Sequence, residues 1–138
     1  MPIWHINCVM DWLNVKDNRP TNININTIKF PLPAISSILH RISGVFIFVG
    51  IAFLLYILEL SLQSESGFTS VLVLLDHFLV KFLAWAILAG LLFHLIAGFK
   101  HLLMDLGIGE SFEAGLLGAR LVFGVSIIAT LVAGIWIW

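Results

Sequence analysis

Cysteine is almost missing from this sequence: Cys8 is the single one among 138 residues. An internal disulfide is therefore impossible, and so is a cysteine metal cluster. Charge is scarce too. Lys, Arg, Asp and Glu together make up 11% of the chain, and the formal net charge is −1. No basic surplus exists to attract nucleic acid, and no acidic surplus points to a basic partner. No long repeat and no low-complexity linker divides the chain.

What is abundant is apolar residue. The hydrophobic share is 60% and the mean hydropathy is +1.07. A soluble domain of this length needs far more polar surface, so an integral membrane protein is expected. Three apolar runs are long enough for a helix to cross a hydrocarbon core, which takes about 20 residues. They lie at 34–62, 71–99 and 116–138. Three strands could not close a barrel, so the expected fold is all-α, a bundle of three transmembrane helices. Residues 1–33 then form a polar arm, irregular or only locally ordered, because Pro31 and Pro33 delay the helix. Asp76, His77 and Lys81 are expected at an interface, with Lys81 snorkelling.

Orientation follows from the basic residues. Lys16, Arg19 and Lys29 lie on the arm, with Arg41 just inside the first run. The first loop, SLQSESGFT, carries no lysine or arginine, whereas Lys100 and Arg120 flank the second connection. The positive-inside rule places the N-terminus and the second loop in the cytoplasm. Trp136 and Trp138 then belong to the outer aromatic belt. The first thirty residues match neither a secretory leader nor a mitochondrial transit peptide, so a bacterial inner membrane is expected. Three helices leave much surface uncovered, so packing against a second membrane subunit is expected, besides contact with lipid.

Of the five histidines, His94 is the most informative, because it lies inside the apolar stretch LLFHLIAGF. A histidine in a membrane helix faces the bundle interior as a rule and marks function. A ligand role and a packing hydrogen bond both fit it. Ala86, Gly90, His94 and Gly98 follow an i, i+4 ladder on one helix face. Glycines on either side of an axial ligand suit a flat porphyrin; they also suit ordinary close helix packing. His101 and Asp105 continue the face and form an i, i+4 pair of their own. His94 and His101 cannot clamp one iron. Seven residues separate them by about 10.5 Å along the axis, and a metal–imidazole bond is about 2 Å. His77 is about 25 Å from His94 along the helix. A second ligand must come from His40 or from another chain.

Depth links His94 to the start of the first run. His94 lies about 7–8 Å, and Arg41 about 10 Å, from the same cytoplasmic edge by helical rise. Ser37 and Arg41, like Ser36 and His40, are i, i+4 neighbours. A hydroxyl and a guanidinium so paired suit a polar headgroup or a haem carboxylate, and they equally suit snorkelling to lipid phosphate and helix back-bonding. Ser126, Thr130 and Gly134 form a small-residue face that reads as a packing seam. No mid-membrane acid or broken-helix pair suggests a transporter.

The stretch RPTNININTIKFPLPAISSILHRIS, from Arg19 to Ser43, resembles the N-terminal signature of the cytochrome b subunit of succinate dehydrogenase. The matching elements are Arg19-Pro20, Ser37, His40-Arg41 and Ser43. HLIAGFKHLLMDLG, from His94 to Gly107, resembles the family's second signature, and ESFEAG is also similar. Phe99-Lys100 departs from the usual aliphatic–arginine pair before His101, which removes bidentate carboxylate pairing there. Residues 1–9 precede the family's usual start, which Met10 resembles.

The resemblance implies a membrane subunit of succinate:quinone oxidoreductase, not itself catalytic for succinate oxidation. It implies one haem b shared with a second small anchor subunit, and ubiquinone as electron acceptor. An iron–sulfur subunit and a flavoprotein subunit are the implied soluble partners. By motif match His94 is the haem axial ligand from this chain, and the partner anchor supplies the other histidine. Ser37 and Arg41 match the quinone site, and His40 and Arg41 match haem propionate contacts. The helix face of His94 makes Gly90, Gly98, His101 and Asp105 candidate supporting positions beside it. Two other expectations stand beside this one: a haem-free anchor that only docks soluble subunits, and the equivalent anchor of a fumarate reductase.

Overall fold

The computed structural model describes residues 29–138. Arg19-Pro20, Cys8 and most of the expected arm lie outside the described residues. The described chain is all-helical. Helix α1 runs Leu32–Gln63, α2 Glu65–Asp76, α3 Phe78–Asp105 and α4 Phe112–Ile137. Helices α1, α3 and α4 are each long and apolar enough to cross a membrane.

Proline sets the start of α1. Pro31 is the N-cap in an extended conformation and Pro33 sits in the first turn, where a missing N–H costs nothing. The helix then continues for 32 residues, about 48 Å at 1.5 Å per residue. Its buried residues are Ser36, Ser43, Gly50 and Ile57. They recur every seven residues, so they form one stripe along the helix. Three of the four are small, which lets α3 approach closely. Gly50 shows how closely: a Cβ there would lie 3.0 Å from the Ile87 side chain.

The expected second run, 71–99, is not one helix. It breaks at His77, whose ψ of 128° is extended. Val71–Leu75 belong to α2, which folds back against α1 instead of entering α3. The turn into α2 is tight. Ser64 caps it by accepting from the Gly67 N–H at 3.0 Å, and a Cβ at Gly67 would collide with the Leu60 carbonyl. Hydropathy averaged over a span does not register such a break, because apolar residues lie on both sides of the Asp76-His77 pair. Lys81 bridges it, donating to Asp76 at 3.2 Å. At its other end α3 extends past Phe99 to Asp105.

The α3–α4 connection turns on Gly107 and Gly109, both at positive φ near 80°. Ser111 then caps α4 by accepting from the Ala114 N–H, and Glu113 in the first turn suits the positive end of the helix dipole. Helix α4 buries Gly115, Ala119, Val122 and Ser126. The three long helices alternate in direction, so the bundle has two unlike ends. One gathers His40, His94 and His101; the other gathers Phe78, Phe82, Trp85 and Trp138. Large apolar side chains such as Phe48, Val73 and Ile135 point outward, as lipid-facing positions require.

Candidate functional site

The site lies where α1 crosses α3 near the histidine end. His94 projects from α3 onto the His40–Gly44 turn of α1. Its Nδ1 lies 3.0 Å from the His40 carbonyl oxygen and 3.0 Å from Ser43 Oγ. A carbonyl can only accept, so the hydrogen bond to it requires the proton on Nδ1. The neutral ring then carries its lone pair on Nε2, which makes no hydrogen bond among the described residues. A backbone carbonyl on one ring nitrogen and an available lone pair on the other is the arrangement a metal-bound histidine uses. The residues present therefore fit an imidazole that ligates an iron.

His40 is placed differently. Its ring stacks on His94 with centroids 4.1 Å apart and planes 21° from parallel, and it lies 5.2 Å from His101. Opposite axial ligands meet a metal nitrogen to nitrogen, whereas stacked rings meet face to face. His40 is thus not placed as the opposite axial ligand to His94. Its Nε2 is buried without a hydrogen-bond partner among the described residues, and an unpartnered buried nitrogen is costly unless a further group meets it. No three His, Cys, Asp or Glu side chains form a metal cage among the described residues.

The remaining expected positions spread around this crossing. Ser37 is half-buried beside the buried Ser36, and Arg41 is exposed one residue after His40. His94 packs against His40, Ser43 and Gly44, so the helical turn that carries Arg41 lies level with His94 along the bundle. His101 is half-buried and turned toward His40, while Asp105 is exposed. The glycine ladder faces α1. A Cβ at Gly90 would lie 2.8 Å from the Phe46 ring, and one at Gly98 would lie 3.3 Å from His40 Nε2. These glycines therefore seat α1 side chains against α3. Lys100 lies across Gly118 of α4.

An apolar cavity of about 540 Å³ opens beside Ser43. It runs over Phe46, Gly90 and Phe93 to Ser126 and Thr130, and its size falls in the range of cofactor pockets. Ser126 Oγ is buried there with no hydrogen-bond partner among the described residues. Two residues of this site carried no assigned role in the sequence reading, Ser43 as a partner of His94 and Gly44 as the clearance beside its ring. The seven-residue stripe on α1 was the available signal for Ser43, and Gly44 lies outside it.

Comparison with known proteins gives the same direction. Residues 15–133 match the family of the succinate dehydrogenase/fumarate reductase transmembrane subunit. The chain is 43% identical over 121 residues to the succinate dehydrogenase cytochrome b556 subunit of Coxiella burnetii, covering 87% of this chain and 97% of that one. It is 32% identical over 102 residues to the cytochrome b556 subunit of Paracoccus denitrificans, covering 71% and 75%. A cytochrome b560 subunit of Reclinomonas americana is 28% identical over 130 residues, covering 91% and 89%. With a matched region that contains α1, α3, the histidine crossing and α4 as far as residue 133, this chain belongs to the succinate dehydrogenase/fumarate reductase transmembrane subunit family.

Proposed function

We propose that this chain is the cytochrome b anchor of a bacterial succinate:quinone oxidoreductase. In this reading it sits in the inner membrane with its N-terminus in the cytoplasm. It holds one haem b jointly with a second small anchor subunit and receives electrons from an iron–sulfur subunit fed by a flavoprotein. The observation that carries the reading is the contact of His94: its Nδ1 lies 3.0 Å from the His40 carbonyl oxygen, which can only accept, so Nδ1 is the donor and Nε2 is left for a metal. The relatives cited above, each named for a succinate dehydrogenase cytochrome, favour the succinate-oxidising direction over fumarate reduction.

The chain's own residues then divide the work. His94 would hold the iron, and α1 keeps its ring from turning. The unpartnered Nε2 of His40 and the guanidinium of Arg41 would meet the haem carboxylates, offsetting the cost of an unpaired buried nitrogen. A bound haem b would supply a one-electron store whose potential its ligands and surroundings set. Ser37 would donate a hydrogen bond to a quinone carbonyl oxygen, with Arg41 adding positive charge near it. In a water-poor site such fixed donors act more strongly than in water. The exposure of Arg41 on this chain suits a group shared with a bound ligand or a neighbouring subunit.

A dithionite-reduced minus oxidised spectrum of the purified complex tests the reading. A low-spin b-haem band in the wild type that is lost in His94→Leu is the expected result. A complex without haem would favour the pure anchor. An unchanged band in His94→Leu would contradict the assignment of the ligand.

A further inference from the structure

We infer that Ser43 is a positioning residue for His94, and that Ser43 and Gly44 form a cradle on α1 setting the tautomer and angle of the imidazole. This rests on the reading of His94 as a haem ligand.

Ser43 is buried in the α1 stripe, 9% exposed. Its hydroxyl makes two contacts at once. It donates to the His40 carbonyl at 2.7 Å, and its Oγ lies 3.0 Å from His94 Nδ1. A hydroxyl has one proton and two lone pairs. The proton is committed to the carbonyl, so Oγ presents a lone pair to the imidazole. The Nδ1–H of His94 is therefore shared between two acceptors, each at 3.0 Å. One acceptor leaves a ring free to swing about the bond. Two acceptors at different places, themselves joined by a hydrogen bond, restrain it. Partners of this kind orient a metal-bound histidine and adjust its basicity.

Gly44 supplies the other half of the cradle. A Cβ at this position would lie 3.0 Å from His94 Cε1, 3.6 Å from Nδ1 and 4.0 Å from Nε2. The first of these is too short for carbon–carbon contact, whose optimum is about 3.5–4.0 Å. The ring thus occupies its place because position 44 has no side chain. Ser43 holds one edge of the imidazole and Gly44 clears the next. The ligand comes from α3, but its orientation is decided by α1, 51 residues earlier at Ser43.

The test uses the purified complex with wild-type chain, Ser43→Ala, Ser43→Cys, Ser43→Thr, Gly44→Ala or His94→Leu. The readouts are the haem-to-flavin ratio, the low-spin ferric resonance and the midpoint potential of the haem. Ser43→Ala and the near-isosteric Ser43→Cys are expected to move both the resonance and the potential, and Ser43→Thr to return both to wild type. Gly44→Ala is expected to move the resonance by displacing the ring. Should Ser43→Ala lose its haem, retention in Ser43→Thr supports the hydroxyl's role, and loss in both overturns it. Unchanged resonance and potential in Ser43→Ala and Ser43→Cys also overturn it. His94→Leu separates the two readings. Haem at the wild-type ratio and resonance in that variant overturns the ligand itself. Haem lost there, with unaltered Ser43 variants, overturns only the part given to Ser43.

Discussion

The two ends of the bundle are built from similar material to different standards of satisfaction. At the aromatic end Trp85 donates its indole N–H to the Thr130 carbonyl at 3.1 Å, packs over Gly134 and meets Trp138 edge-on at 6.1 Å. Its one polar atom is satisfied within the chain. At the histidine end His40 buries a nitrogen with no partner, and His94 leaves its lone pair unengaged among the described residues. A bundle built only for stability would pair such groups or replace them. On the proposed reading, the open groups at the histidine end are where a ligand or a second subunit would meet the bundle, and the aromatic end serves as a brace.

Substitutions can break this contrast, the largest effects being at the open end. Arg41→Ala is expected to lower quinone-dependent succinate oxidation about 10- to 100-fold, the range given by losing a charged hydrogen bond of about 1.5–3 kcal/mol. Electron transfer to an artificial acceptor from the soluble subunits should persist. Parallel assays of the two activities check this, and equal loss of both would remove Arg41 from the quinone site. Midway along the bundle, Gly50→Leu forces a side chain against Ile87, already 3.0 Å from a bare Cβ. Overpacking of that kind costs about 1–3 kcal/mol, read as a lower melting temperature of the detergent-solubilised complex.

At the closed end Trp85→Phe removes the hydrogen bond to Thr130 but keeps most of the ring. The expected cost is about 0.6 kcal/mol, the average for polar contacts between membrane helices, with the haem spectrum unchanged. A spectral shift in this variant would blur the contrast between the ends. Asp76→Asn should matter least. Its side chain is 86% exposed, and exposed ion pairs contribute about 0–1 kcal/mol. Melting curves at low and high salt should differ little from wild type.

How far the sequence reveals this molecule depends on the range of the interaction. Hydropathy reads single segments, and it found the three long helices. It missed the break at His77, because the apolar residues around the polar Asp76-His77 pair keep the average over a span high. Helical periodicity placed Gly90, His94 and Gly98 on one face, and they do share it. It could not say what that face meets. Gly90 meets Phe46 and Gly98 meets His40, while the partners of His94 lie on the His40–Gly44 turn. Such contacts arise from packing between residues of different helices, far apart in the chain, and no local pattern encodes their register. The family resemblance supplied the candidate residues, and the geometry adds which nitrogen of His94 is free and what holds the other.

The most direct single measurement is the haem-to-flavin ratio of complexes purified with His94→Leu and Trp85→Phe. The account predicts that His94→Leu brings the ratio close to zero while Trp85→Phe keeps the wild-type value. Haem at the wild-type ratio in His94→Leu would contradict it.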